Sequence, residues 1–192
     1  MTIKYSSVDL GQIEAVLNKI GGEAAIPRLL AGELVVVERE PKPEPMLDTI
    51  IRVDRAVRPV YPDWMKKVMH LELEATGAAE YDLATVQLWL HDGQKNGGVM
   101  VGNTIYDHLK SNTMLESCLG LADGLAIQKN GVEAFRKFFG GKAVFLWKSV
   151  VQDRVVGLRV PYLVGRSGVV VVLWLWLDDD WRDSGPAARF AS

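Results

Sequence analysis

Cysteine occurs once in this chain, at Cys118, so no internal disulfide can form and the fold must hold by packing alone. The three histidines, His70, His91 and His108, stand at no metal-ligand spacing from one another, which leaves no zinc site, and no metal or cofactor is expected. A net charge of −2 gives no basic surplus to meet phosphates, so a nucleic-acid footprint is excluded. With 48% apolar and 24% charged residues the chain is a folded globule and not a disordered one. The longest apolar run, Val169 to Leu177, is too short to cross a bilayer as a helix. The N-terminus has no apolar core of the signal-peptide kind, so the chain is expected in the cytoplasm, with surface display only through an exporting partner.

One more absence is local. From Asp153 to Ser192 there is no Lys, Glu, Gln or Met, although the residues before this tail hold 33 of them. An even scatter would place roughly seven there. Strands are depleted in Lys and Glu in any case, which is the ordinary structural account. What the tail does hold is Val, Leu, Gly, Arg, Asp and Ser, threaded through Pro161, Tyr162, Trp174, Trp176, Trp181, Pro186, Arg189 and Phe190. It reads as a fixed frame carrying freely chosen side chains.

Along the chain, punctuation separates three regions. After the cap candidates Ser7 and Asp9, the spacing of Ile13, Val16, Leu17 and Ile20 predicts a short helix that ends at Gly21-Gly22, and a second helix carries Pro27 near its start. The run Leu34 to Glu38 is β-branched, and Pro41-Lys-Pro-Glu-Pro45 is an extended linker or arm. Leu47 to Val53 is apolar, and a soft domain boundary is placed near residue 60, giving an N-terminal module 1–60 and a main domain 61–192. From Pro62 to Gly141 the pattern is helical. Trp64-Met65-Val68-Met69 forms one helix, and Leu83 to Leu90 behind Asp82 forms another, with His91 at its C-terminal end. A third begins after Asn103, a fourth runs from Met114 to Ile127, and Val132 to Phe139 is a fifth. His108 lies on the third, with no nucleophile motif near it, so packing is its expected role.

From Lys142 the pattern turns to β. Gly157 and Gly165-Arg-Ser-Gly168 mark turns, and Val169 to Leu177 is a long strand that is apolar on both faces. Trp174 and Trp176 lie on one face, with Val169, Val171, Leu173 and Leu175 on the other. Such a strand is either buried at the centre of the domain or carries a binding surface.

The segments LESCLGLADGLAIQKNGVEAFRKFFGGKAVFLWKSVV, VPYL, LWLWLDDDW and PAARFAS resemble proteins of candidate-phylum bacteria whose C-termini look like variable regions of diversity-generating retroelements. The resemblance spans about residues 54 to 192. In related copies the last element keeps the tryptophan frame, with asparagine at alternate places. Such retroelements copy a template with errors at adenines, so an AAC codon becomes NNC, which can encode Val, Leu, Asp, Arg, Ser or Gly but never Lys, Glu, Gln, Met or Trp. No Asn follows Asn130 here, so every such position would have changed.

The resemblance implies an α+β fold of the C-type-lectin-like kind, helices followed by a small antiparallel sheet, with a short helical or extended N-terminal module. Its variable region would cover about 153–185. The diversified positions it implies are Val155, Gly157, Arg159, Val164, Arg166, Ser167, Val169, Leu173, Leu175, Asp179, Arg182, Ser184 and Gly185, with Val171 added by strand alternation. Trp174, Trp176, Trp181, Pro186, Arg189 and Phe190 form the scaffold. The implied role is that of a non-enzymatic binder of a protein or other macromolecular ligand, its apolar patch rimmed by Arg159, Arg166 and Arg182. Two other readings stand beside it. One is a calcium-assisted sugar binder using Asp178, Asp179, Asp180 and Asp183. The other is a hydrolase with carboxylates around Glu116 and Glu133.

Overall fold

The computed structural model describes residues 9–35 and 47–191, so Ser7, most of the 34–38 run and the 41–45 proline stretch lie outside the described residues. The chain divides into two units, Met1–Pro45 and Met46–Ser192. The division falls earlier than residue 60 because Ile50–Arg52 is a strand paired with Glu80–Asp82, which ties residues 50–52 to the main unit.

In the first unit, α1 (Leu10–Ile20) starts at Asp9, whose side chain accepts from the Gln12 N–H while Gln12 returns the bond, and stops at Gly21 in the left-handed conformation. Its apolar stripe buries no residue. α2 is the single turn and a half Ala25–Leu30. Both match the sequence expectation.

The main unit is mixed α and β. Its strands are β1 (Ile50–Arg52), β2 (Met65–Val68), β3 (Glu80–Asp82), β4 (Val86–Trp89), β5 (Met100–Val101), β6 (Val144–Phe145), β7 (Val151–Asp153), β8 (Leu158–Arg166), β9 (Val169–Trp176), β10 (Asp180–Trp181) and β11 (Ala187–Phe190). Its helices are α3 (Gly102–Ser111), α4 (Leu121–Asn130) and α5 (Val132–Phe139). Seven strands form the main sheet in the order β2, β7, β8, β6, β11, β4, with β9 along the other edge of β8. All pairs are antiparallel except β6 with β11.

Strand alternation divides the core into two layers. Val144, Leu146, Leu163, Val170 and Ala188 point to one side and pack under Ile127, Phe135 and Phe139 of α4 and α5. Phe145, Trp147, Val160, Leu177, Trp181 and Ala187 point to the other and pack under Ile105, Tyr106 and Leu109 of α3. This second cover stops short of the outer half of the β8–β9 hairpin.

Two expected helices are strands. Residues 65–68 form β2, and 83–90 hold a single 3-10 turn (Leu83–Thr85) followed by β4. The helix expected from Met114 is a 3-10 turn at Met114–Ser117 and then α4. His91, expected to end a helix, opens a 3-10 turn instead, its Nδ1 accepting from the Gly93 N–H at 3.1 Å. Among the described residues no helix is long and apolar enough to cross a membrane.

Candidate binding surface

The site is built on the β8–β9 hairpin. Eight consecutive pairs, from Arg159 with Trp176 to Arg166 with Val169, run without a register shift, so opposed residues share a face. Among the described residues β9 pairs with β8 alone, at the edge of the sheet, and not in the buried central position considered from the sequence.

One face is locked. Val170 is buried, and Trp174 sets its ring edge-on to Trp64 at 5.3 Å and near Tyr61 at 6.1 Å. Trp176 lies against the Arg159 guanidinium, 3.5 Å from its carbon, and the same guanidinium sits 4.7 Å from Trp64. Arg159 is held there by buried Asp153, to which its Nε donates at 3.2 Å. The other oxygen of Asp153 accepts the N–H groups of Val155 and Gly157 and shapes the β7–β8 turn. A Cβ on Gly157 would run into the Trp176 ring.

The opposite face is open along much of its length. Val169 is 55% exposed, and Val171, Leu173 and Leu175 are half-buried beside Tyr162, Val164 and Arg166 of β8. At the Leu175 end the surface dips into a cavity of about 170 Å³ lined by Phe145, Tyr162, Trp181, Arg182, Ser184 and Gly185. The floor is aromatic, with the Trp181 ring 3.9 Å from Phe145 and 5.0 Å from Trp147.

The sequence-derived set thus falls into parts. Val164, Arg166, Val169, Val171, Leu173 and Leu175 share the open face, and Arg182, Ser184 and Gly185 join them at the cavity. Ser167 sits in the hairpin turn at φ 48°, a conformation that restricts which side chains it accepts. Asp179 lies exposed in the loop before β10. Gly157 and Arg159 stand on the locked tryptophan face with exposed Val155 in the turn beside them, so Arg159 is no rim residue of the open surface. Of the scaffold residues, Trp174 and Trp176 are on the locked face, whereas Trp181 floors the open one. The tryptophans therefore do not share a face. Pro186 is buried, Arg189 lies in β11 and bridges to Cys118, and Phe190 packs edge-on to Tyr81 at 4.9 Å. Tyr162, in the frame, and Phe145, outside the tail, also line the cavity; period-two alternation points to the first, and nothing in the tail's composition points to the second.

A polar cluster underlies the locked side. Asp123, fully buried, accepts from Arg55 at 2.5 and 3.2 Å and from the Gly120 N–H at 2.9 Å. Glu74 accepts from the Ser149 hydroxyl at 2.7 Å and from the Tyr61 hydroxyl. Burial pushes the Glu74 carboxyl above its ordinary range and the buried Lys148 ammonium below its own. Burial also raises the Cys118 thiol to about 12, which keeps it protonated and unreactive.

The groups named in the other readings are placed apart. Asp178 accepts from Asn103 at 2.6 Å, and among the described residues no three His, Cys, Asp or Glu side chains converge where they could hold a metal. Glu116 is exposed in a 3-10 turn, and Glu133 is exposed on α5, 3.7 Å from Arg136. His108 stacks on Trp89 at 5.6 Å, as the packing reading expects. Comparison with protein-family models, with curated proteins and with solved structures finds no match to this chain.

Proposed function

We propose that this protein is a binding module, without chemistry of its own, whose hairpin surface is diversified by a retroelement to recognise varied protein ligands on a C-type-lectin-like scaffold. The observation that carries the reading is the coincidence of two independent features. The tail lacks every residue type that adenine mutagenesis of AAC cannot produce, apart from the tryptophans of the frame. Five of the implied positions, Val164, Val169, Val171, Leu173 and Leu175, also form one continuous, partly exposed apolar face beside an aromatic-floored cavity. Partly exposed Val and Leu with Arg166 and Arg182 at the margins suit a protein ligand, because apolar anchors ringed by arginine carry most of the energy at such interfaces. The scaffold half of the proposal draws on the locked face, where aromatic and guanidinium packing holds the hairpin whatever stands opposite.

The test is to sequence the locus and its flanks from several sister cells. A reverse-transcriptase gene and a near-identical repeat, differing from the coding sequence only at template adenines and at the positions named, is the expected result. If no repeat exists and Leu173, Leu175 and Arg182 never vary, the retroelement reading fails.

A further inference from the structure

β9 is the outermost strand of the main sheet, and the hairpin fixes which of its backbone groups face outward. Ser167 and Gly168, at φ 48° and 82°, form a two-residue turn of the type I′ kind, so Arg166 and Val169 close the ladder as a hydrogen-bonded pair and every second pair follows. Val171, Leu173 and Leu175 therefore bond to β8, while Val170, Val172, Trp174 and Trp176 turn their N–H and C=O groups away. The surrounding bonds agree with this alternation. Leu177 N–H donates to Leu158, the Pro161 carbonyl accepts from Leu146 on the far side of β8, and Gln128 of α4 reaches the Val170 carbonyl at 2.8 Å. The Trp176 carbonyl accepts from Asp179. The outward N–H and C=O of Val172 and Trp174 have no partner among the described residues.

Edges of this kind are ordinarily blunted by lysine, proline, a bulge or a covering helix or loop. From Val169 to Leu177 this strand has none of the first three, and α4 covers only its Val170 carbonyl by hydrogen bond, through Gln128. A cavity of about 410 Å³ opens beside the edge, lined by Val169, Val170 and Val171 on the strand and by Gln128, Gly131 and Val132 at the α4–α5 corner.

We propose that β9 pairs along this edge with β9 of a second copy of the chain, antiparallel about a two-fold axis near Val172, so that two sheets become one. Charge selects this arrangement. The start of β9 lies beside exposed Arg166, which has no ion-pair partner among the described residues, and its end runs into exposed Asp178, Asp179 and Asp180. Antiparallel pairing sets the basic end of one strand by the acidic end of the other, twice over, whereas parallel pairing would set like by like. The two-fold also matches side chains. Val172 meets its own copy, Val170 meets Trp174 and Val171 meets Leu173, combinations of β-branched, aliphatic and aromatic residues that pair well across strands. The Gln128 amide holds the acceptor that the partner's Trp174 N–H takes on pairing. The two open faces then lie side by side as one bivalent surface. Backbone groups carry the contact, so it does not depend on the diversification reading, and either can fail without the other.

Sedimentation equilibrium of the full chain across a concentration series tests the pairing, with hydrogen exchange read at Val172 and Trp174. The expected result is a reversible dimer whose formation slows exchange at those two amides. Val172→Pro removes an outward N–H that β8 does not use and should weaken the dimer about tenfold. Arg166→Glu should weaken it several-fold, and adding Asp178→Lys should restore it; this pair of variants decides the matter if the proline variant does not fold. A chain that stays monomeric, edge amides whose protection is independent of concentration, or a dimer indifferent to the charge variants each overturns the proposal.

Discussion

The two faces of β9 are both apolar and, from Val171 to Trp176, both half-buried, yet they differ in what packs against them. On the even-numbered side groups from outside the hairpin reach the strand, directly or through its β8 neighbour Arg159. Val170 packs in the layer under α4 and α5, Trp174 meets Trp64 and Tyr61, and Trp176 meets Arg159, itself fixed by Asp153. On the odd-numbered side Val169, Val171 and Leu173 meet chiefly their β8 neighbours, and only Leu175 reaches the second core layer. Apolar character alone does not decide packing here; what the fold sets opposite each face does. A locked face specifies the hairpin, and an open face is left free to change, since substitution is tolerated where no close-packed partner is disturbed.

The largest test of that contrast is to remove one residue from each side. Trp174→Ala deletes a half-buried ring with two aromatic neighbours and is expected to cost about 3 kcal/mol, whereas Leu173→Ser, one residue away on the open face, is expected to cost about 1 kcal/mol or less. Urea midpoints of the two variants against the parent measure this, and equal losses would abolish the distinction. A second variant sharpens it within the proposed variable set. Gly157→Val must push the Trp176 ring off Arg159 and should cost about 2 kcal/mol, while exposed Val155→Ser in the same turn should stay within about 0.5 kcal/mol. A silent Gly157→Val would show that the tryptophan face gives way as easily as the open one.

Much of this was legible in the residues, and the failures have causes. The cap at Asp9, the stop at Gly21, the helix after Gly131, a turn within Gly165-Arg-Ser-Gly168 and the long strand after it all carry short-range signals, while the helix expected after Asn103 starts two residues earlier, at Gly102. The spacing of residues 64–69 predicts a helix, and Met65–Val68 is a strand. The register of β2 against β7 slips between Met65 and Lys67, and that bulge breaks the period of two, so the apolar residues fall at a helix-like interval. Residues 82–90 misled for another reason. Asp82 does cap, with its carboxylate accepting from Ala84 at 2.9 Å, but only one 3-10 turn follows. β4 then keeps partners on both faces, Val86 and Leu88 in one layer and Trp89 in the other, which hides strand alternation. The alternation of Val169 to Leu177 separates the two faces but leaves a buried centre and a binding face equally open, and only the sheet order decides between them. The place of Arg159 is not legible in the sequence, because its partners Trp64 and Asp153 reach it through tertiary packing.

The smallest expected effect concerns pH, and it separates the faces by chemistry. Tyr61, which packs on Trp174, donates to Glu74, so the locked face is tied to a buried carboxyl, whereas β9 itself brings no ionisable side chain to the open face. Burial, first among the causes, raises the folded carboxyl of Glu74 above the ordinary value near 4.5. The folded chain then holds this proton at pH values where the unfolded chain has released it. The stabilising contribution of the group is full below about pH 4.5 and is lost as pH climbs through the raised folded value. Glu74→Gln cannot release that proton and should flatten this part of the stability profile, while Leu173→Ser should shift the profile without changing its slope. Urea midpoints taken every half unit of pH for the three chains settle the point. If the glutamine variant keeps the parent's slope, Glu74 does not titrate with folding, and the coupling of the tryptophan face to a buried carboxyl has to be abandoned.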